Sequence, residues 1–336
     1  MLQALVFLTL TSIKMTLDSR RFLYGLFFCC ITLVFWGMMP IALKLSTGFI
    51  DPVTFTWLRF TFAGAVLVIW QAQRGKLSEF RNLTRINIVR LMVAGTMLIV
   101  NYTFMVWGLS YLHPGAAQLS FLLAPLFLTL GGWWFLKERV FWQHWVCFAL
   151  MGGGMLLFFH PAIQSSTGLT GIGFLIIQVS ALGWSAYALI QKSLFRVLSP
   201  SNILLSIYLY ALVVMLPFSQ PASLLTLDSH DRWIAFFCCV STLIAYGSFA
   251  QAMHYWQTVQ VSACVAITPV ITFFLTEACV GYGLFHDVIF SAEADQLSLL
   301  GMGLVVIAAI TVQLITPFLE KRRIRALHTL TVATDR

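Results

Sequence analysis

Apolar residues run along this chain in long blocks that neither alternate, as a half-buried strand would, nor carry the polar stripe of a surface helix. The stretch from Leu91 to Val100 is typical. A helix satisfies its backbone donors and acceptors within its own segment, whereas a membrane barrel is built from strands of ~10 residues with alternating polarity. Many of the blocks approach the ~20 residues that a helix needs to cross ~30 Å of hydrocarbon. The pattern predicts ten spans, at residues 22–44, 52–72, 90–111, 115–136, 141–160, 171–191, 203–218, 233–255, 260–284 and 297–317. The expected fold is an all-α integral membrane bundle of ten transmembrane helices.

Composition turns this pattern into a class. Hydrophobic residues make up 60% of the 336 positions and charged residues 10%, with a mean hydropathy of +0.88; soluble domains carry about 25% charged residues. The few charges are placed unevenly. With the amino terminus in the cytoplasm, the inner segments hold nearly all of the 20 Lys and Arg, among them Arg20, Arg21, the loop from Arg74 to Arg90, Lys137, Arg139, Lys192, Arg196 and the run from Lys321 to Arg325. The outer side keeps Lys44 and Arg232, and Asp51, Asp228, Asp231, Asp287, Glu293 and Asp295 collect there. This bias puts both termini of the multi-pass chain in the cytoplasm, and the expected location is an inner (plasma) membrane. The bias also accounts for the net charge of +8 without nucleic acid, which would need basic residues gathered on a folded soluble face.

Tryptophan agrees with the boundaries. Trp70, Trp133, Trp134, Trp142, Trp145 and Trp256 fall near predicted inner ends, and Trp107 and Trp233 near outer ends, as an interfacial belt requires. The seven cysteines lie inside predicted spans without metal-ligand spacing, so packing is their expected role. The block from Met1 to Thr11 is too short to span and has neither a basic flank nor a cleavage site. Met15, ahead of the basic segment from Thr16 to Arg21, is the expected start, which leaves residues 1–21 as a cytoplasmic segment and 318–336 as a basic cytoplasmic tail.

A faint internal repeat organises the spans. Trp36, Lys44 and Pro52 follow one another at intervals of eight; Trp184, Lys192 and Pro200 do the same at an offset of 148. Tyr102 and the Ala124-Pro125 pair reappear as Tyr246 and Thr268-Pro269 at an offset of 144. Duplication predicts two five-helix units, 22–160 and 171–317. An odd number of spans makes the second copy enter the membrane upside down, and such inverted repeats underlie alternating access in transporters, with the substrate site near the midplane.

Over residues 22–317 the chain resembles the EamA branch of the drug/metabolite transporter superfamily. The matching residues are Trp36-Gly37, Pro52 and Arg59, the stretch from Ala116 to Pro125 leading to Lys137-Glu138-Arg139, then Ser262 to Pro269 and the helix from Gly301 to Ile310. The resemblance implies a ten-helix inverted-repeat bundle without an ATP-binding domain, exporting amino acids or related metabolites. One departure stands out. The family glutamate follows the mid-helix proline by 13 residues, as Glu138 follows Pro125, but Tyr282 occupies that place after Pro269, ahead of an acidic outer loop from His286 to Gln296.

Two ionisable residues fall well inside predicted spans, Arg59 and Glu277. At the bilayer centre each costs ~2.5–3.5 kcal/mol, which implies a partner or a wet cavity. Each lies eight residues from its outer end, roughly 12 Å deep at ~1.5 Å per residue. The functional expectation is that Glu277 exchanges a proton or senses substrate charge while Arg59, which cannot shuttle protons, favours its ionised form; the plain alternative is a structural ion pair.

Trp36, Asn101, Tyr102, Gln118, Gln178, Trp184, Tyr187, Tyr246 and Gln251 are the substrate-cavity candidates. Singly, each reads as helix packing or an interhelical hydrogen bond; together they would suit an organic solute carrying apolar groups. Pro40, Pro125 and Pro269 each remove a helical donor. Pro40 reads as a static kink, and the symmetry-related Pro125 and Pro269 as hinges. Lys44 and Lys192 are expected to snorkel at helix ends.

Rival classes lack their parts. There is no His-Glu-x-x-His, no Gly-x-Ser-x-Gly and no Walker sequence, so no enzyme, metal centre, cofactor or ATP-driven pump is expected, and the scattered histidines read as interfacial. A sensor or scaffold would find little loop surface for partners. The expected partners are a small-molecule substrate and the lipid bilayer, with proton coupling and oligomeric state left open.

Overall fold

A computed structural model of the chain describes residues 2–46, 48–109, 111, 121, 123–158, 160, 170–285 and 295–334, with side chains for most positions between 19 and 323. Every regular element among the described residues is helical: α1 (Leu2–Ser46), α2 (Pro52–Gln73), a 3-10 segment (Lys76–Asn82), α3 (Arg85–Leu109), α4 (Leu123–Phe135), α5 (Trp142–Phe158), α6 (Thr170–Ser193), α7 (Pro200–Met215), α8 (Ser229–Tyr255), α9 (Thr258–Val265), α10 (Thr268–Gly281) and α11 (Gln296–Thr334). Eight helical stretches among them are long and apolar enough to cross a membrane, α9 and α10 counting as one. The fourth and fifth predicted spans are represented by α4, 13 residues, and α5, 17 residues; the loop from His286 to Glu293 lies outside the described residues, as does Gln118.

Caps set the helix starts, which hydropathy places correctly for α2 and a few residues late for α7 and α8. The Asp51 carboxylate accepts from the amides of Val53 at 3.0 Å and Thr54 at 2.9 Å, and Pro52 opens α2 where its missing N–H is not needed. Pro200 opens α7 in the same way, after Ser199. Asp228 caps α8 by accepting from Asp231 N at 2.8 Å, which moves the start to Ser229.

Of the three prolines, Pro269 departs from the expectation of a proline within a continuous helix. Through Pro40, α1 continues unbroken. Pro269 sits in the first turn of α10: the predicted ninth span breaks at Ala266 and Ile267, where Ile267 N donates to Cys264 O at 2.9 Å. Pro125 lies in α4. In the first turn of α10, Pro269 forfeits no helical hydrogen bond.

The helices form two compact units, one of residues 1–99 and 190–257, the other of 100–189 and 258–336. Each draws on both halves of the sequence. In the first, α1 packs on α8, and α2 on α7 and α8; in the second, α5 packs on α11, and α9 on α4 and α11.

The first unit is apolar where α1, α2 and α8 meet, through Met39, Phe55, Ala235 and Cys238. Phe60 and Tyr208, which occupy matching places in the sequence repeat, pack with ring centroids 5.3 Å apart, and Trp57 Nε1 donates to Leu212 O at 3.0 Å. Trp256 does not join an interfacial belt. It is buried, its Nε1 donates to Phe22 O at 3.2 Å, and its indole fills the space where Gly25 has no Cβ. Lys192 likewise does more than snorkel, because its Nζ donates to Trp256 O at 2.6 Å.

In the second unit, α5 and α11 touch backbone to backbone. A Cβ on Gly301 would lie 2.2 Å from Gly154 O, and one on Gly154 2.6 Å from Gly301 O; only glycine permits that approach. His144, expected at an interface, is buried instead. Its Nδ1 accepts from Phe141 N at 3.2 Å, which leaves Nε2–H to donate to Thr316 Oγ1 at 3.1 Å and tie α5 to α11.

One polar link recurs with the halves exchanged. Thr32 Oγ1, which donates to Phe28 O at 2.9 Å within its own helix, also reaches Ala245 O at 3.4 Å across from α1 to α8. Ser180 Oγ donates to Asn101 O at 2.8 Å, joining α6 to α3. Ser180 follows Thr32 by 148 positions, and Ala245 follows Asn101 by 144, the two offsets of the sequence repeat.

Glu79 fastens the start of α7. Its carboxylate accepts from Ser199 N at 2.8 Å and from Asn202 Nδ2 at 2.7 Å. Burial pushes its pKa up, but the bonds from Ser199 and Asn202 outweigh it and hold the carboxyl below the usual value of 4.5. A depressed folded-state pKa contributes stability that is complete above the unfolded value and is lost as pH falls through the folded one. The first unit should therefore weaken as pH drops below about 4.5, and Glu79→Gln should flatten that acid limb in thermal denaturation of purified protein. An unchanged limb in the variant would assign the acid sensitivity elsewhere.

Candidate functional site

The two intramembrane charges belong to different units: Arg59 is on α2 in the first, Glu277 on α10 in the second. Arg59 is among the largest fully buried side chains, 2% exposed. Its Nε donates to Thr242 Oγ1 at 2.8 Å, a terminal nitrogen lies 3.8 Å from Met39 Sδ, and the guanidinium carbon is 5.7 Å from the centre of the Phe55 ring. Thr242 in turn donates to Cys238 O at 2.8 Å. A guanidinium is thus held by side chains of α1, α2 and α8 in a pocket of sulfur, ring and hydroxyl, a setting for a fixed positive charge. Glu277 is half-buried on α10.

Of the cavity candidates, Trp36 and Tyr246 come together. Their rings meet edge to face with centroids 5.4 Å apart, and Trp36 also packs on Phe249 at 5.1 Å. Gln251, half-buried, follows on α8. Within the second unit, Asn101 Nδ2 donates to Ser180 O at 3.1 Å and to Ser180 Oγ at 2.9 Å. Those bonds use the amide to join α3 to α6, the plain reading of an intramembrane Asn. Tyr102, Trp184 and Tyr187 are buried, and Trp184 meets Phe121 edge to face at 6.1 Å; Gln178 is half-buried on α6.

A carboxylate that sequence reading left without a role lies at the end of α4. Glu138 Oε2 accepts from Thr258 N at 2.8 Å and, through a short hydrogen bond, from Thr258 Oγ1. It caps α9 and couples α4 to the helix pair that Pro269 divides. Its partner lies 120 positions away, so no local pattern points to it. Thr242 was missed for the same reason. Ser180 was legible through the repeat, as the counterpart of Thr32.

Family comparison matches an EamA-like transporter model twice, over residues 23–160 and 171–313. The chain belongs to the EamA-like transporter family. An uncharacterized transporter of Haemophilus influenzae is 28% identical to this EamA protein over 292 residues, 86% of this chain and 94% of its own. The uncharacterized inner membrane transporter YhbE of Escherichia coli K12 is 29% identical over 257 residues, 75% and 80% of the two chains. A solved crystal structure superimposes with a TM-score of 0.68 at 19% identity, covering 90% of this chain and 99% of its own, a likeness of fold. The EamA chain is a multi-pass membrane transporter of the inner membrane.

Proposed function

We propose that this EamA chain is a secondary transporter that exports small organic metabolites, amino acids or related compounds, by alternating access between two inverted five-helix repeats with both termini in the cytoplasm. The observation that carries the reading is the recurring link described above, Thr32 to Ala245 and Ser180 to Asn101, formed by repeat-related residues with the halves exchanged. A pair of contacts related in this way is what a two-fold relation between inverted repeats would produce. Two family matches along the chain support the same duplication, and α4 and α5 supply the fourth and fifth of ten spans.

Substrate recognition is assigned to the Trp36–Tyr246 aromatic pair and the other aromatic and amide candidates, with Arg59 as the fixed charge and Glu277 as the group that takes up and releases a proton. Pro125 and Pro269, at matching places in the repeat, are the hinge positions, and the break before Pro269 is where a change in angle costs no further helical bond. Energy comes from an ion gradient.

The test compares metabolites in cells and medium for matched expression of wild type and Glu277→Gln. The expected result is a solute that appears in the medium at roughly tenfold lower rate with the variant, a difference of about 1.4 kcal/mol in barrier. Equal export by both proteins would leave transport standing and make Glu277 structural; no moved solute with either would sink the export reading.

A further inference from the structure

At the end of α4 the chain turns into α5 through a tight irregular segment. Lys137 takes a left-handed conformation, φ 56°, and Glu138 N donates back to Gly132 O at 3.0 Å. This turn and α11 together line an open surface recess of ≈ 430 Å³, with Trp133, Lys137, Glu138, Arg139, Phe141 and Arg323 around it. Three cations face one carboxylate there, and Glu138 Oε2 is already engaged by the amide and hydroxyl of Thr258. The pocket therefore carries a net positive charge.

A bias toward basic loops would explain Lys137 and Arg139 by their place in the chain alone. The same bias covers Arg323, in the basic run that follows the apolar part of α11; the packing of α5 on α11 brings all three cations to one recess, where they need a counter-charge. The surroundings identify what the charge faces. Next to the pocket, Trp134, Phe135 and Trp142 are 70%, 73% and 71% exposed. Bulky rings with that exposure at the ends of membrane helices mark the level where headgroup gives way to hydrocarbon. A soluble anion would make use of the cations and none of the rings; a phospholipid uses both.

We propose that this pocket binds the phosphodiester headgroup of an anionic phospholipid. Lys137, Arg139 and Arg323 donate to the phosphate oxygens, the arginines through their two-pronged guanidinium edge, and the lipid's glycerol and upper acyl carbons lie along Trp133, Trp134 and Trp142. Basic pockets between membrane helices have the chemistry for such headgroups. Bound there, the lipid would bridge the α4–α5 turn and α11.

The test uses delipidated full-length protein in neutral detergent, with phosphatidylglycerol, phosphatidylcholine or inorganic phosphate added, read by native mass spectrometry and thermal denaturation. Phosphatidylglycerol should give discrete adducts and raise the Tm; phosphatidylcholine should do neither. Removing basic residues should weaken phosphatidylglycerol binding roughly fivefold each, and about a hundredfold for Lys137→Gln, Arg139→Gln and Arg323→Gln combined. A control with the same charge change elsewhere, Arg81→Gln, Arg85→Gln and Arg90→Gln combined, should bind as wild type does. Should the triple variant fail to fold, Lys137→Gln and Arg139→Gln, both at exposed positions, serve singly, and unchanged binding in both overturns the proposal. Equal binding of phosphatidylcholine, or equal loss in the control, also overturns it. Protection of wild type but not the triple variant by inorganic phosphate, with no added effect of phosphatidylglycerol, would make the ligand a soluble phosphate and reject the lipid.

Discussion

Glu138→Ala is expected to lower the stability of the second unit by about 2–3 kcal/mol, the larger of the two stability effects anticipated among the described polar contacts. The carboxylate satisfies both the amide and the hydroxyl of Thr258 at the first turn of α9, and hydrogen bonds to a charged group are the costly ones to break. The contact is partly buried, so water replaces it incompletely. A negative charge at a helix amino end adds a favourable interaction with the helix dipole.

Glu138→Gln separates these contributions. Its amide oxygen can still accept from Thr258, so the variant should lose no more than ~1 kcal/mol. Thermal denaturation in detergent measures both variants, and hydrogen exchange in α9 locates the loss. An alanine variant as stable as wild type would show that the cap holds nothing. The repeat offers no substitute, because Tyr282 stands where a second glutamate would be and is 82% exposed.

Arg59→Met is expected to give the opposite combination, a protein that folds as well as wild type yet transports roughly tenfold more slowly. A guanidinium at this depth costs ~2.5–3.5 kcal/mol, and exchanging a buried charge for an apolar side chain of similar volume is often neutral or stabilising. Methionine keeps an unbranched apolar chain in place of the arginine stem. What it cannot supply is the charge or the bond to Thr242. Flux into liposomes of the solute found by the metabolite comparison, beside a melting curve, reads the two properties separately. Full transport by the methionine variant would reduce Arg59 to packing. Arg59→Ala would blur the answer, since the cavity it leaves is destabilising by itself.

Much of the helical architecture is legible in apolar run length because the bilayer imposes one requirement on every span, whatever its neighbours. What depends on distant partners is not. Trp256 has the sequence position of a belt residue, but Phe22, Gly25 and Lys192 enclose it. His144 looks interfacial until Phe141 and Thr316 occupy its two nitrogens. Pro269 was visible as a breaker, but the position of the break depends on the turn from Cys264 to Ile267. At the candidate site, residue type flagged Arg59 and the Trp36–Tyr246 pair, whereas Thr242 and the capping role of Glu138 required contacts across more than a hundred positions.

The interleaving of the two halves also governs how such a chain must be made. A ribosome delivers α1 and α2 long before α7 and α8, and α4 and α5 long before α9 and α11. The first unit cannot close until residue 257 has been made and the second must wait for α11, so the nascent protein holds unfilled helix faces in the membrane while it waits. Biogenesis, rather than the finished fold, is then the stage at which this chain is most exposed to quality control and to premature termination.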